Sequence, residues 1–229
     1  MNKKAVILVS GGLDSSTLLA MIQKEGFDIY ALSFNYAQNH VIELNKIKQF
    51  IVKYNVKEHR VINLDLSAFT SSALVVGGVD VPKYKNSDDL GDDIPVTYVP
   101  ARNTIFLSYA LGYAEVIGAN NIFIGAHSTD SANYPDCRVE YIESYEKMAN
   151  LATKSSVEGQ KISIIAPLIK MSKSEVVTEG LKLGVDYSNT ISCYDPTIDG
   201  KSCAECHACL IRLKAFKNNQ VIDPIAYVR

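Results

Sequence analysis

Apolar positions along the chain follow two alternating periods. Residues 5–9 (Ala5-Val6-Ile7-Leu8-Val9) form a short apolar run between polar neighbours, the pattern of a buried strand. Residues 17–24 read as a helix stopped by Gly26, and residues 27–34 as a second strand. Past a polar stretch, Val41, Leu44, Ile47, Phe50 and Ile51 recur at helical spacing, and residues 59–64 return to a strand pattern. Further on, Ile105, Leu107, Ala110, Leu111, Ala114 and Ile117 predict a long apolar helix. Residues 121–126 predict a buried strand, 139–155 a helix and 162–168 a last short strand. Ser172-Lys173-Ser174-Glu175 has the form of a capping box opening a helix that runs through Leu183 to Gly184.

Strands alternating with helices predict an α/β fold: a parallel sheet carrying crossover helices on both faces. Between residues 65 and 99 the periodicity fails, and Ser, Thr, Gly and Asp dominate. A stretch this long without regular structure is expected to be a flexible loop beside the active site. The acidic run 88–93 reads as solvated. The predicted organisation is an α/β domain over 1–186 and a C-terminal segment with a helix over 187–229.

Composition narrows the class only slightly. The chain has 229 residues, 47% of them hydrophobic and 21% charged, with a net charge of −2. That balance argues against a nucleic-acid surface. No apolar run approaches the roughly 18–20 residues that span a bilayer, and the first residues do not form a signal peptide. A cytosolic location is therefore expected. In that compartment the five cysteines point away from disulfides.

Two stretches carry candidate chemistry. The first is Ser10-Gly11-Gly12-Leu13-Asp14-Ser15-Ser16, a glycine turn between the first strand and first helix. Glycines let backbone approach a ligand closely, Ser15 and Ser16 suit a helix cap and first turn, and a helix N-terminus favours an anion. It is neither a G-x-G-x-x-G nor a Walker A loop. The second is Cys203-x₂-Cys206-x₂-Cys209, with Cys193 upstream. Four thiolates suit a structural zinc ion, and such spacings also serve iron–sulfur clusters. His207 is an alternative ligand within the run.

The glycine turn resembles the pyrophosphate loop of the N-type ATP pyrophosphatases. Taken with Tyr36, Gln38, His40 and Glu43, Val99-Pro100-Ala101-Arg102-Asn103, Tyr134-Pro135-Asp136-Cys137-Arg138 with Glu140, Lys173, residues 190–194 and the four cysteines, the chain resembles the 7-cyano-7-deazaguanine synthase family. That family usually has Gly where this chain has Ala101, and Asn-Ala-Gln-Asp where it has His127-Ser128-Thr129-Asp130.

The resemblance implies an adenine nucleotide alpha hydrolase-like fold and a ligase. This ligase would convert 7-carboxy-7-deazaguanine and ammonia to the nitrile through an acyl-adenylate and an amide. ATP is the co-substrate, with Mg²⁺ and one structural Zn²⁺ on Cys193, Cys203, Cys206 and Cys209. Leu8, Val9, Ser10, Gly11, Gly12, Leu13, Asp14, Ser15, Ser16, Thr17 and Leu18 would hold the nucleotide, with Ser33, Phe34 and Asn103. Asp14, Lys173 and Arg102 would be catalytic. Tyr36, Gln38, His40, Asp130, Tyr134, Asp136 and Arg138 would receive the acceptor. Cys137 reads as a packed small residue, since an adenylate needs no thioester. A homodimer without nucleic acid or membrane is implied. An ATP pyrophosphatase modifying tRNA and a zinc-stapled nucleotide-binding regulator are the alternatives.

Overall fold

A computed structural model describes residues 3–36, 47–48, 50–69, 71–75, 77–89, 91, 93–127 and 134–228. Its centre is a five-stranded sheet formed by β1 (Lys4–Leu8), β2 (Asp28–Asn35), β3 (Val56–Asn63), β4 (Asn121–Phe123) and β5 (Ser163–Ile165). All pairings are parallel, in the order β3-β2-β1-β4-β5. The helices with both ends among the described residues are α1 (Leu13–Lys24), α2 (Arg102–Ile117), α3 (Val139–Ala152), α4 (Lys154–Val157), α5 (Lys173–Lys182) and α6 (His207–Asn218). The predicted α/β class and parallel sheet are observed.

The two-residue period of β1 divides the core. Ala5, Ile7 and Val9 enter one apolar cluster with Leu18, Leu19 and Ile22 of α1, Val176 and Val177 of α5, and Ala215 and Phe216 of α6. Val6 and Leu8 enter the other, with Leu107, Ala110, Leu111 and Ala114 of α2 and Ile142, Tyr145 and Ala149 of α3. Residues 47, 48, 50 and 51 are helical as predicted, and Ile47 and Phe50 are buried in the first cluster. The rest of that predicted helix lies outside the described residues.

Several boundaries move for identifiable reasons. Both α1 and α2 begin a turn earlier than their apolar periodicity, at Leu13 and Arg102. The predicted helix over 139–155 breaks at Thr153, which is extended (φ −112°, ψ 144°). The Thr153 hydroxyl bonds the Ala149 carbonyl and Ser156, offering the backbone an alternative to another helical turn. Residues 124–127 leave the sheet after Phe123 and continue toward the cleft described below. The capping box at Ser172 is present in full, with Glu175 and Ser172 bonding reciprocally.

Among the described residues of 65–99 there is one short 3₁₀ turn, Ser87–Asp89. They are nonetheless anchored. Leu66, Val75 and Val99 share a buried cluster, and the Ala73 amide donates to Val96 at 2.8 Å. Among the described residues, no helix is long and apolar enough to cross a membrane.

Candidate functional site

The strand order reverses direction between β1 and β4, and there the C-terminal ends of both strands open a cleft of about 320 Å³. The glycine turn after β1 forms one wall. Residues Ile124, Gly125, Ala126 and His127 after β4 form the opposite one.

The turn is held by its own hydroxyls. Ser15 Oγ accepts from the Ser10 amide at 3.2 Å, and Ser10 Oγ accepts from the Gly12 amide at 3.2 Å. Gly11 has φ +86°, a conformation that favours glycine. The Gly11 carbonyl accepts from the Ile191 amide at 3.1 Å, which ties the turn to the segment before Cys193. The N-cap of α1 is Gly12, without a side-chain cap, so Ser15 and Ser16 do not cap the helix as expected. Ser15 staples the loop instead. Ser16 Oγ is buried without a partner. The first-turn amides of α1, at Leu13, Asp14 and Ser15, have no preceding turn to bond.

Asp14 is held by residues from two other parts of the chain. Both of its carboxylate oxygens accept from Lys173 Nζ at 2.7 Å, and His127 Nε2 lies 3.6 Å from Oδ2. Lys173 also donates to His127 Nε2. Burial alone would raise the Asp14 pKa, but the charge of Lys173 and the His127 contact outweigh it and hold the carboxyl well below its usual range. Lys173 is no exposed first-turn lysine: its side chain is 15% exposed, against 28% for Asp14. His127, a residue noted in the sequence only as a departure, completes this cluster, and its Nδ1 is buried without a partner.

The far side of the cleft comes from the start of α2 and the Pro135–Cys137 turn. Phe34 and Phe106 stack at 4.0 Å with 3° between planes, and both line the cleft. Arg102 lines it too and donates to the Tyr36 hydroxyl at 3.4 Å. Asp136 faces α2 instead, because the N-cap residue Ala101 has no side-chain acceptor. The Asp136 carboxylate takes the Asn103 amide at 3.0 Å, and Asn103 Nδ2 returns a bond to the Asp136 carbonyl. Ala101 itself is left-handed (φ 55°, ψ 20°), where an L side chain is strained. Burial and the neighbouring Asp136 push the Cys137 thiol up to about 12.

The structure gathers many predicted positions and separates others. Leu8, Val9, Ser10, Gly12, Leu13, Asp14, Ser15, Phe34, Tyr36, Arg102, Asn103, Tyr134 and Lys173 line the cleft. Tyr134 also bonds Thr97. Thr17 and Leu18 face the core: Thr17 Oγ1 meets the Tyr187 hydroxyl at 2.7 Å. Ser33 Oγ donates to the Val9 carbonyl at 2.7 Å within the sheet. Arg138 is exposed and donates to the Pro135 carbonyl. Gln38, His40 and Asp130 lie outside the described residues.

Arg212 was not foreseen. It borders the cleft with 1% of its side chain exposed, and its five N–H donors find acceptors on Asp223, Thr190, Ser192 and the Tyr187 carbonyl. A signal existed: Cys209, Arg212 and Ala215 recur every three residues and are all buried. An arginine at such a position demands a buried partner, and the sequence does not reveal which.

The four cysteines converge as predicted. The sulfurs of Cys193, Cys203, Cys206 and Cys209 lie within 4.8 Å of one another, a set that can hold a metal ion. His207 is not in this group and borders the cleft. The Cys203 and Asp195 amides donate to Cys193 Sγ, and the Cys206 amide to Cys203 Sγ, at 3.2–3.3 Å. Such N–H donors stabilise thiolates. Contacts among the sulfurs lower the Cys206 thiol, while Cys206 raises Cys193, and Cys193 and Cys206 raise Cys209. Four sulfurs this close share negative charge poorly without a cation, so the donor set fits a divalent metal.

The family model of "Queuosine biosynthesis protein QueC" matches residues 4–220. The 7-cyano-7-deazaguanine synthase of Rickettsia rickettsii (strain Sheila Smith) is 63% identical over 228 residues, 100% of both chains. That of Rickettsia canadensis (strain McKiel) is 61% identical over 226 residues, 99% of this chain and 100% of the relative. Among solved structures, a 4-thiouridine synthetase–RNA complex with bound ATP superposes with a TM-score of 0.54 at 18% identity. The match covers 98% of this chain and 47% of that one, and it is a likeness of fold. A family match over nearly the whole length, with relatives this similar from end to end, means that the chain belongs to the queuosine biosynthesis protein QueC family.

Proposed function

We propose that the chain converts 7-carboxy-7-deazaguanine, ammonia and ATP to 7-cyano-7-deazaguanine, AMP and pyrophosphate. The observation that carries this reading is the meeting of the glycine turn, Asp14 and Lys173 in one cleft at the sheet's switch point. The substrate carboxylate attacks the α-phosphorus, and pyrophosphate leaves. Ammonia then adds to the acyl carbon, loses a proton and displaces AMP to give the amide. The amide oxygen attacks a second α-phosphorus and expels a second pyrophosphate, and departure of that AMP with both amide protons leaves the nitrile.

In this reading the amides of the turn and of the first turn of α1 receive the departing pyrophosphate. Lys173, held by Asp14, offsets its charge. Mg²⁺ would neutralise phosphate charge, and Asp14 is the carboxylate among the described residues lining the cleft that could hold it. The stacked Phe34 and Phe106 offer an apolar surface for adenine, beside Ser33. Arg102, Tyr36 and Tyr134, with Gln38, His40 and Asp130, would receive the acceptor, and Asp136 would act by holding Asn103 and the start of α2. Zinc is the proposed metal of the cysteine site, and the protein is proposed to work in the cytosol as a homodimer.

Mixing the protein with ATP, Mg²⁺, ammonium and 7-carboxy-7-deazaguanine should yield the amide and nitrile masses with release of AMP. Constant AMP and neither mass would refute the reading. Asp14→Ala should lose turnover and keep its bound metal; loss of metal would mean that Asp14 is structural.

A further inference from the structure

Residues 79–85 border no part of the cleft, yet they lie against the cysteine site. Three contacts hold them. The Tyr84 amide donates to the Glu205 carbonyl at 2.8 Å, inside the turn between Cys203 and Cys206. Val81 packs on the cluster of Ile191, Cys193, Cys206 and Cys209. Lys83 Nζ pairs with Asp195 Oδ2 at 2.5 Å, two residues after Cys193. The Asp195 amide in turn donates to Cys193 Sγ. Residues 83 and 84 therefore touch both stretches of chain that deliver the cysteines, at Asp195 and at Glu205.

Four thiolates around a divalent cation carry a net charge of −2. A cation beside the site offsets that charge, and outer-shell partners of this kind typically change metal affinity by about 10–100-fold. The other parts of the 65–99 segment reach the cleft: Leu74 lines it, and Thr97 bonds the cleft residue Tyr134. The Ala73–Val96 hydrogen bond closes the segment between these points.

We propose that Lys83 is an outer-shell cation of the metal site, and that metal binding docks residues 79–85 through it. Metal occupancy is thereby linked to the segment that brings Leu74 and Thr97 to the cleft. The inference rests on the reading that the four cysteines hold a metal.

The test uses the full chain loaded with Zn²⁺, with metal release to a chromogenic chelator and amide hydrogen exchange as readouts. Lys83→Met should release metal about tenfold faster or more, with Lys83→Arg close to wild type. In loaded K83M, amides 79–85 should exchange faster while those of β1 stay unchanged. In wild type, stripping the metal should expose the same amides, a readout that stands even where K83M folds poorly. Release and exchange in K83M equal to wild type, or wild-type amides indifferent to stripping, would overturn the proposal alone. A wild-type chain that takes up no metal would overturn the reading of the cysteine site and the proposal with it.

Discussion

Lys173 Nζ lies 2.7 Å from each carboxylate oxygen of Asp14, across a sequence separation of 159 residues. The pair joins the first turn of α1 to the first residue of α5 and sets an ammonium beside the glycine turn. The carboxylate holds the lysine in place, and the lysine keeps the carboxylate ionised.

The sign of its pH dependence follows. The folded Asp14 pKa lies below the unfolded value of about 3.9, so its contribution is complete above that value and is lost as pH falls through the lower folded one. Asp14→Asn should destabilise by about 1–3 kcal/mol at neutral pH, less than a fully buried pair because Asp14 keeps some exposure. Urea unfolding should give a constant gap between wild type and variant from about pH 7 to 5, narrowing below about pH 4. A gap already gone at the upper end of that range would assign the shift to another group.

Arg212 and Asp223 are the most deeply buried ion pair among the described residues, with 1% and 3% of their side chains exposed. Arg212→Met strands Asp223 and should cost about 3–5 kcal/mol in denaturant unfolding. Adding Asp223→Asn should restore part of that loss, since no unpaired charge then remains. Strictly additive losses would show that the two do not act as a pair.

Two helix glycines should respond with opposite signs. A Cβ on Gly180 would sit 1.8 Å from the Tyr187 hydroxyl, which Thr17 holds in place. A Cβ on Gly112 would meet nothing within 4 Å. Gly180→Ala should destabilise by about 1–3 kcal/mol or more, and Gly112→Ala should stabilise by about 0.5–1 kcal/mol. Thermal unfolding of the two variants reads both directly.

Ala101 occupies the left-handed region at the start of α2, where glycine carries no Cβ penalty. Ala101→Gly should gain about 0.5–1 kcal/mol without changing the cleft. A loss of stability would mean that the Ala101 methyl contributes packing worth more than the strain it causes.

Cys137 borders the cleft, but its thiol pKa is pushed up to about 12 by burial and Asp136. It should therefore react slowly with iodoacetamide at pH 8, and Cys137→Ser should keep turnover within a few-fold. Loss of turnover by orders of magnitude would point to a thioester intermediate.

Much of this protein is governed by near neighbours in the chain. Ala5 to Val9 alternate between two faces, so the strand and its two-sided burial follow from local order. The capping box at Ser172, the glycine turn after β1 and the C-x₂-C-x₂-C run are contiguous, and their chemistry is legible residue by residue. The helix break at Thr153 was not, because a threonine hydroxyl competes with the helix only slightly and its partners on Ala149 and Ser156 tip the balance.

The pairings across the chain belong to the tertiary structure. Periodicity gives Lys173 and Arg212 a helix position but says nothing of distant partners. Folding around β1 and β4 brings Asp14, His127 and Lys173 to one point, turns the Asp136 carboxylate toward the start of α2, and sets Lys83 on Asp195 beside the cysteine site. Charges and hydrogen-bond donors act over a few ångströms, and which groups come that close depends on how separate elements pack. Local order could write the motifs; packing alone could choose the partner of each charge.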